Sequence, residues 1–515
     1  MAERGDDETY DVTIHNRVIT SVVPSGDGSD PQSGGARWYR GDTESSRGVL
    51  CTPDTGAIAQ GMDSSPPGAD GKAARASSVR EDSLVIDGGG LYLAPGFVDM
   101  HVHFRDPGFP EKEEIASGSR AASRGGYTTV CCMPNTSPAI DDAETVEYVD
   151  ARGRAAGLVN VFAVGALTVG QRGAELADMA GMDAADTLCR ELTRHGIAGV
   201  SEDGKSLMDE GLMRKALLLA KSLGLPLMDH AEDSALAGGC VNEGRVSEKL
   251  GVRGLPARAE TNIIERDIRL ASETGARVHL QHVSTAAGVA LIRKAKAAGV
   301  SITAETAPHH FTLTEDLLLA LPPGRRASAK MNPPLRTEAD RLAIIEGLAD
   351  GTIDAIATDH APHEAEAKAL PLEQAPFGIV GLETAFAASY TELVLRGPLT
   401  LPQLIDKMST TPARLIGLGT LGTLGDGTIL SHGTPGDDPV LSRQQSETLR
   451  LGRGEVREGA VADLALLELE TPYRIDSASF ASKGKNTPFD GCEVRSRVLM
   501  TIRGGKVTCD ARGLV

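Results

Sequence analysis

The stretch GFVDMHVHFRDPG holds two histidines one residue apart, His101 and His103, and then Arg105 at the same interval. The residues around them are those of a buried strand. In a strand, residues two apart point to the same face. The three polar side chains would therefore share one side, with Val102 and Phe104 on the other. Two imidazoles on one face at a strand end can grip a single metal ion. A guanidinium beside them can bind a carboxylate bidentately. Taken alone, the His-x-His pair is a weak signal, because many such pairs are ordinary polar surface. Its weight comes from recurrence. His230 closes the run LPLMDH, His282 closes RVHLQH, Asp203 ends GVSED and Asp359 follows IDAIAT. Six polar residues at the ends of successive candidate strands form a converging ring. Imidazole and carboxylate together suit zinc and similar divalent ions. More than four candidate ligands fit two metals sharing a bridging carboxylate.

Such a ring needs elements that bring its members together. From residue 85 to about 412, short apolar runs such as YTTVCCMPN, VNVFAVGAL and VSITAETAPHH alternate with helical patterns such as AETVEYVDARGRAAG and GVALIRKAKAAG. Repeated strand–helix units imply a parallel sheet. Nearly eight of them favour a closed (β/α)8 TIM-type barrel, whose catalytic groups gather at the C-terminal ends of its strands. Residues 9–23, and the runs AVADLALLELE and VLMTIRGGKVTC, read as further strands. The expected organisation is a small β domain built from both chain termini, 1–95 and 413–515, around a barrel at 96–412. Two Gly-rich polar interruptions, 24–80 and 420–460, read as flexible insertions.

Composition narrows the function. The chain has 515 residues and 41% hydrophobic content, enough for a sizeable core. A net charge of −19 argues against a nucleic-acid partner, since phosphate binding needs clustered Lys and Arg. No run of about 18 apolar residues suggests a membrane span. The acidic start MAERGDDETYDV is no secretory signal. Seven scattered cysteines suit reduced thiols in the cytoplasm. Vicinal Cys131–Cys132 reads as two small apolar residues on a buried strand rather than a redox pair.

The motifs GFVDMHVHFRDPG, GGYTTVCCMPNTSP, SEDG, HAED, QHVSTAAGV, KMNPPLR, ATDHAPH, APFGIVGLET and SKGKNTPFDG, in this order, resemble the dihydroorotases of the amidohydrolase superfamily, bacterial class I. The resemblance implies a metal-dependent cyclic amidohydrolase that interconverts N-carbamoyl-L-aspartate with dihydroorotate and water in pyrimidine synthesis. It implies two zinc ions, one on His101, His103 and Asp359, the other on His230 and His282, with Asp203 between them. Asp359 would also be the catalytic acid and base. Arg105, Asn135, Asn332, His363 and His103 would contact the small-molecule substrate, and backbone groups of Phe377 and Gly378 would hold the ring's imide edge. The usual acid pair of the SEDG loop is Asp-Asp, whereas this chain has Glu202-Asp203, so Glu202 competes for the bridging role. Lys205 reads as a solvated loop lysine. The resemblance leaves open a homodimer and association with an aspartate transcarbamoylase.

The remaining histidines have ordinary readings. His279 lies three before His282 and would face the opposite way on a strand. His309 and His310 read as strand-end packing, and His360 as a hydrogen-bonding support beside Asp359. His15, His195 and His432 have no companions. Two other functions compete: a hydantoinase or allantoinase, and a non-catalytic dihydroorotase-like scaffold for a transcarbamoylase. The complete ligand set argues against the scaffold.

Overall fold

The computed structural model describes residues 10–15, 18–24, 39–40, 49–51, 84–86, 91–418, 454, 456 and 460–512. Nine short strands of the central region lie parallel. Three form one ladder: β1 (Phe97–Val102), β2 (Tyr127–Cys132) and β3 (Asn160–Ala163). Six form the next: β4 (Gly165–Ala166), β5 (Val200–Ser201), β6 (Leu227–Asp229), β7 (Val278–Leu280), β8 (Ile302–Thr306) and β9 (Ala355–Ile356), paired in that order. Only Val164 separates β3 from β4, and its N–H still donates to Cys132 O at 2.9 Å. At the far side, a parallel bridge joins Val102 to His360, and His103 N donates to His360 O at 2.8 Å.

The strands are short and apolar because both their faces are covered. β1 and β2 are buried along their whole length. Val130, Val161, Leu227, Leu280 and Ile302 join one apolar cluster with helix residues such as Val146, Leu217, Ile264 and Ile344. Met100, Cys131, Phe162, Met228 and Ala355 join another. Helices start where short polar side chains can satisfy the first free N–H groups. Asp142 accepts from Thr145 N to open Ala143–Ala156, and Thr285 accepts from Gly288 N to open Ala286–Ala297. Cys131 and Cys132 are both buried free thiols, and burial pushes both thiols up, so neither is poised to react.

Strands from both chain ends share one sheet. Tyr92–Pro95 pairs antiparallel with Leu464–Arg474, which pairs with Glu493–Arg503 and through it Lys506–Asp510. Tyr10–His15 and Val18–Pro24 form a hairpin in a second sheet, tied back by Ile19 N to Ala460 O at 2.9 Å. Val12, Ile14, Ile19 and Leu93 bury against Leu464, Leu466, Met500 and Ile502 in one cluster. The stretch 24–80 is not structureless throughout: Tyr39–Arg40 pairs with Tyr92–Pro95, and Val49–Cys51 pairs with Tyr10–His15 and Leu84–Ile86. Edge pairing supplies these segments with backbone partners that their polar composition does not announce. The rest of that stretch, and nearly all of 420–460, lies outside the described residues. Among the described residues no helix is long and apolar enough to cross a membrane.

Candidate metal centre

Every one of the six expected ligands sits at or just beyond the C-terminal end of a parallel strand. His101 lies on β1 and His103 just past it; Asp203 follows β5, His230 follows β6, His282 follows β7 and Asp359 follows β9. All six are buried. The β1–β2 pairing shifts register between Asp99 and Val102, around His101. Three residues here have left-handed backbones without being glycine: Arg105 (φ 60°), His282 (φ 33°) and Asp359 (φ 49°). Each such residue costs about 1–3 kcal/mol and persists only where its surroundings hold it. The turns redirect side chains that strict alternation would send elsewhere.

The side chains converge. His101 Nε2 lies 3.2 Å from Asp203 Oδ1 and 3.7 Å from Asp359 Oδ1. His103 Nε2 lies 3.1 Å from Asp359 Oδ1 and 3.5 Å from Asp203 Oδ2. His230 Nδ1 is 2.8 Å from His282 Nε2 and 3.6 Å from Asp203 Oδ1. Two sets could each hold a cation: His101, His103 and Asp359, and His101, Asp203 and His282, with donor atoms within 4.8 Å of one another. His101 thus belongs to both sets, where the sequence expectation placed it in the first alone, and His230 joins through His282 and Asp203. His101 Nε2 and Asp203 Oδ1 are buried without a hydrogen-bond partner, which is the state of atoms shaped to coordinate rather than to bond each other. With nitrogen and carboxylate oxygen donors only, the set fits a divalent cation of the zinc type. Burial opposes charge on Asp203, but His101 and His103 outweigh it and hold its carboxyl well below the usual range. Burial likewise opposes the charged form of His230, yet Asp203 and Glu232 raise its pKa to about 10. A cation entering here must displace that proton.

The acid pair in SEDG resolves cleanly. Glu202 accepts from Thr168 N at 3.1 Å and from the Thr168 hydroxyl, so it points away from the centre. Lys205 is exposed and donates to Gln171 O.

Two carboxylates that the sequence reading passed over complete the site. Glu305, on β8, accepts from His101 Nδ1 at 2.9 Å and faces His279 Nε2 at 3.2 Å. Burial works against its charge, but those two imidazoles hold its pKa at about 2. A carboxylate can only accept, so His101 donates through Nδ1 to Glu305 and turns Nε2 to the centre, where a bound cation would replace any proton. Glu232 orients His230 in the same way, accepting from Nε2 at 3.1 Å and leaving Nδ1 directed inward, 2.8 Å from His282 Nε2. The signal for Glu305 was its place on β8, in register with Thr303 and opposite Ile302 and Ala304. An acid at a buried alternation position needs a partner. His279 therefore does not face away from the centre. It lies on the inward face of β7 with Gln281, and it is His282, turned by its positive φ, that leaves the strand's alternation to join it. His309 and His310 are buried in the short helix Pro308–Thr312 just after β8. His360 supports the site through its carbonyl, while its ring accepts from Gly381 N at 3.2 Å. We expect Glu305→Gln to weaken divalent-metal affinity about 10–100-fold, as loss of an outer carboxylate does. Competition with a chromogenic chelator measures it, and unchanged affinity would show that the glutamate does not orient His101.

The substrate-side residues line a cavity of about 170 Å³ together with His103, Asp203, His230, His282 and Asp359. This is below the roughly 300–1,000 Å³ of drug-sized sites, so its occupant is small. Arg105 lies in its wall. Its Nε is buried without a partner, and no carboxylate pairs with it among the described residues. His363, outside the immediate lining, bonds Phe377 O through Nε2 at 2.7 Å and lies 3.5 Å from Arg105. Asn135 accepts from His103 Nδ1 at 2.9 Å and donates to Asp203 Oδ2 at 3.2 Å. Asn332 donates to Glu232 Oε2 at 2.5 Å. Both asparagines thus steady ligands as well as facing the cavity. Gly378 must be glycine: its φ is 121°, and a Cβ would lie 2.8 Å from Ala361 O. Its own backbone groups are already engaged, N–H with Lys330 O and carbonyl with Asn486 Nδ2 and Lys368 Nζ. Of the two residues expected to hold the imide edge, Phe377 is the one whose N–H is left free among the described residues.

Comparison with known proteins identifies the family of the chain. Residues 90–287 match the family model described as Dihydro-orotase-like. The chain is 45% identical over 446 residues to a dihydroorotase of Pelotomaculum thermopropionicum, covering 86% of this chain and 93% of that protein. It is 43% identical over 438 residues to a dihydroorotase of Geobacter metallireducens, covering 85% and 91%. Among solved structures, the L-hydantoinase (dihydropyrimidinase) of Arthrobacter aurescens aligns with a TM-score of 0.64 at 23% identity, over 81% of this chain and 85% of that one. The D-hydantoinase of Thermus sp. aligns at 0.66 and 22%, over 97% and 92%. At such identity these two show a shared fold and nothing finer. Near-full-length identity above 40% with the curated relatives is decisive, and the chain belongs to the dihydroorotase family.

Proposed function

We propose that this protein is a dihydroorotase, closing N-carbamoyl-L-aspartate to (S)-dihydroorotate with loss of water in de novo pyrimidine biosynthesis, and running in reverse as a cyclic amidohydrolase. The observation that carries the reading is Arg105, a guanidinium in the cavity wall with no acid of its own, beside the cluster of imidazoles and carboxylates. Both compounds of this reaction carry a free carboxylate for that guanidinium, whereas hydantoin and allantoin do not. We read the two parallel ladders as one (β/α)8 barrel joined through Val102 and His360, and the chain-end sheets as one small β domain, with bounds at 1–95, 96–412 and 413–515.

His101, His103 and Asp359 would hold one zinc ion, His230 and His282 a second, with Asp203 reaching both. Such cations, when bound, lower the pKa of water and polarise the substrate's carbonyl. Arg105 binds the substrate carboxylate and fixes the ring's orientation. Asp359 takes a proton from the attacking water in hydrolysis and returns it to the departing ring nitrogen. In ring closure it takes the ureido proton and gives it up as water leaves. Asn135 and Asn332 keep His103 and Glu232 in place beside the substrate.

The test is turnover of dihydroorotate against hydantoin and allantoin by one preparation of known metal content. Turnover of either competitor with none of dihydroorotate would reject the reading. Arg105→Lys is expected to raise KM for dihydroorotate about tenfold, near 1.4 kcal/mol, because a point charge cannot replace the planar fork. Steady-state kinetics decide it, and an unchanged KM would place the carboxylate elsewhere.

A further inference from the structure

Beside the cavity lie two amines that have no carboxylate partner among the described residues. Lys330 Nζ meets the carbonyl oxygens of Leu372 at 2.7 Å, Glu373 at 3.2 Å and Ala375 at 2.6 Å. Lys368 Nζ meets those of Lys330 at 3.3 Å, Pro376 at 2.9 Å and Gly378 at 2.8 Å. An ammonium has three N–H donors and no acceptor. Each is therefore matched by three converging carbonyls. The two clusters interlock, since Lys330 O also accepts from Gly378 N at 3.0 Å, and the Lys330 ammonium sits 4.5 Å from the centre of the Phe377 ring. Burial close to Lys330 pushes the Lys368 amine down to about 7, so the carbonyl oxygens are what favour its charged form.

The segment's other ties are mostly polar as well: Gln374 N and Ala375 N donate to Pro371 O, His363 Nε2 to Phe377 O and Asn486 Nδ2 to Gly378 O. Between Pro371 and Phe377, only Ala375 is fully buried. A segment with few buried apolar contacts opens locally at low cost unless polar contacts pin it. Its last two residues, Phe377 and Gly378, line the cavity. In a trans peptide the N–H points away from the carbonyl. With the Pro376 carbonyl drawn to Lys368, the Phe377 N–H is turned to the opposite side, and it has no acceptor among the described residues.

We propose that Lys330 and Lys368 are positioning residues, two internal cations that fold the Leu372–Gly378 turn around themselves so that the Phe377 N–H is presented to the ureido or imide carbonyl of the substrate. The role assigned to that N–H rests on the dihydroorotase reading; the clamp itself does not. Lys368→Met keeps the stem and removes the ammonium. In ring closure at pH 6, on the acid side of the wild-type amine's value of about 7, KM for N-carbamoyl-aspartate is expected to rise about tenfold, the worth of one hydrogen bond to substrate. The turnover number and metal content should stay near those of wild type, and backbone amide exchange should quicken over residues 371–378 only. A KM near the wild-type value, or amide exchange unchanged in that segment, would overturn the proposal. So would a KM rise accompanied by metal loss, which would mean a wider collapse. If Lys368→Met does not fold, the same measurements on Lys330→Met and Lys368→Arg decide, the arginine being too broad to sit among the three carbonyls. Should wild-type enzyme turn over neither compound, the dihydroorotase reading fails, while amide exchange still tests the clamp.

Discussion

Asp359→Asn is expected to lower the turnover number by about 10²–10⁴-fold, the usual worth of a positioned acid–base group. Asp359 lines the cavity and places Oδ1 3.1 Å from His103 Nε2 and 3.7 Å from His101 Nε2. Asparagine keeps its shape and can still offer one oxygen, but it cannot take up a proton. The loss in kcat/KM must therefore be the same in both directions, because the equilibrium between the two compounds does not depend on the catalyst. Measuring kcat/KM for dihydroorotate and for N-carbamoyl-aspartate, with metal content determined on the same sample, checks this. A loss of less than about tenfold with full metal content would remove Asp359 from proton transfer. A loss confined to one direction is thermodynamically inadmissible and would mean that the two assays do not report the same reaction.

His230→Ala has the second large effect. It removes an imidazole 2.8 Å from His282 and 3.6 Å from Asp203, and leaves Glu232, which that ring bonds at 3.1 Å, with the bond from Asn332. On the proposed two-ion reading, metal content should fall from two ions to one, and turnover by more than about 100-fold, since losing even an outer partner of a ligand costs 10–100-fold. The fold should survive. Ser206 Oγ donates to the backbone carbonyl of His230 at 2.5 Å, and that bond does not involve the ring. Elemental analysis and thermal unfolding of the metal-free proteins separate the two claims. Two ions per chain in the variant would take His230 out of the ligand set.

Much of this centre could be read before any coordinates. His101, His103, Asp203, His230, His282 and Asp359 each close an apolar run, and all six meet. That works because strand ends are local features, marked by residue type and by the turn that follows. What could not be read was how each ring is held. Glu305 is one acid in a strand, and nothing local says that it reaches His101, 204 residues away. His279 was misjudged because alternation assumes a regular strand, and the backbone at His282 departs from one. Glu202 and Asp203 are chemically near-equivalent neighbours, and only Thr168, supplied from another loop, takes the glutamate aside. The clamp of Lys330 and Lys368 was equally invisible, since its acceptors are backbone carbonyls, which every residue possesses.

By itself, the sequence determined the chemistry on offer: imidazoles and carboxylates at the ends of parallel strands, with one guanidinium among them. Residue type and short-range periodicity suffice for that, because a side chain's donor atoms and the face it takes on a strand are set within a few residues. Tertiary structure alone decided which ring nitrogen faces the centre, which of two adjacent acids enters it, and which backbone N–H stays free for a ligand. Those depend on contacts such as that between His103 and Asp359, 256 residues apart, and such contacts exist only once packing of the apolar layers has brought the strand ends to one place.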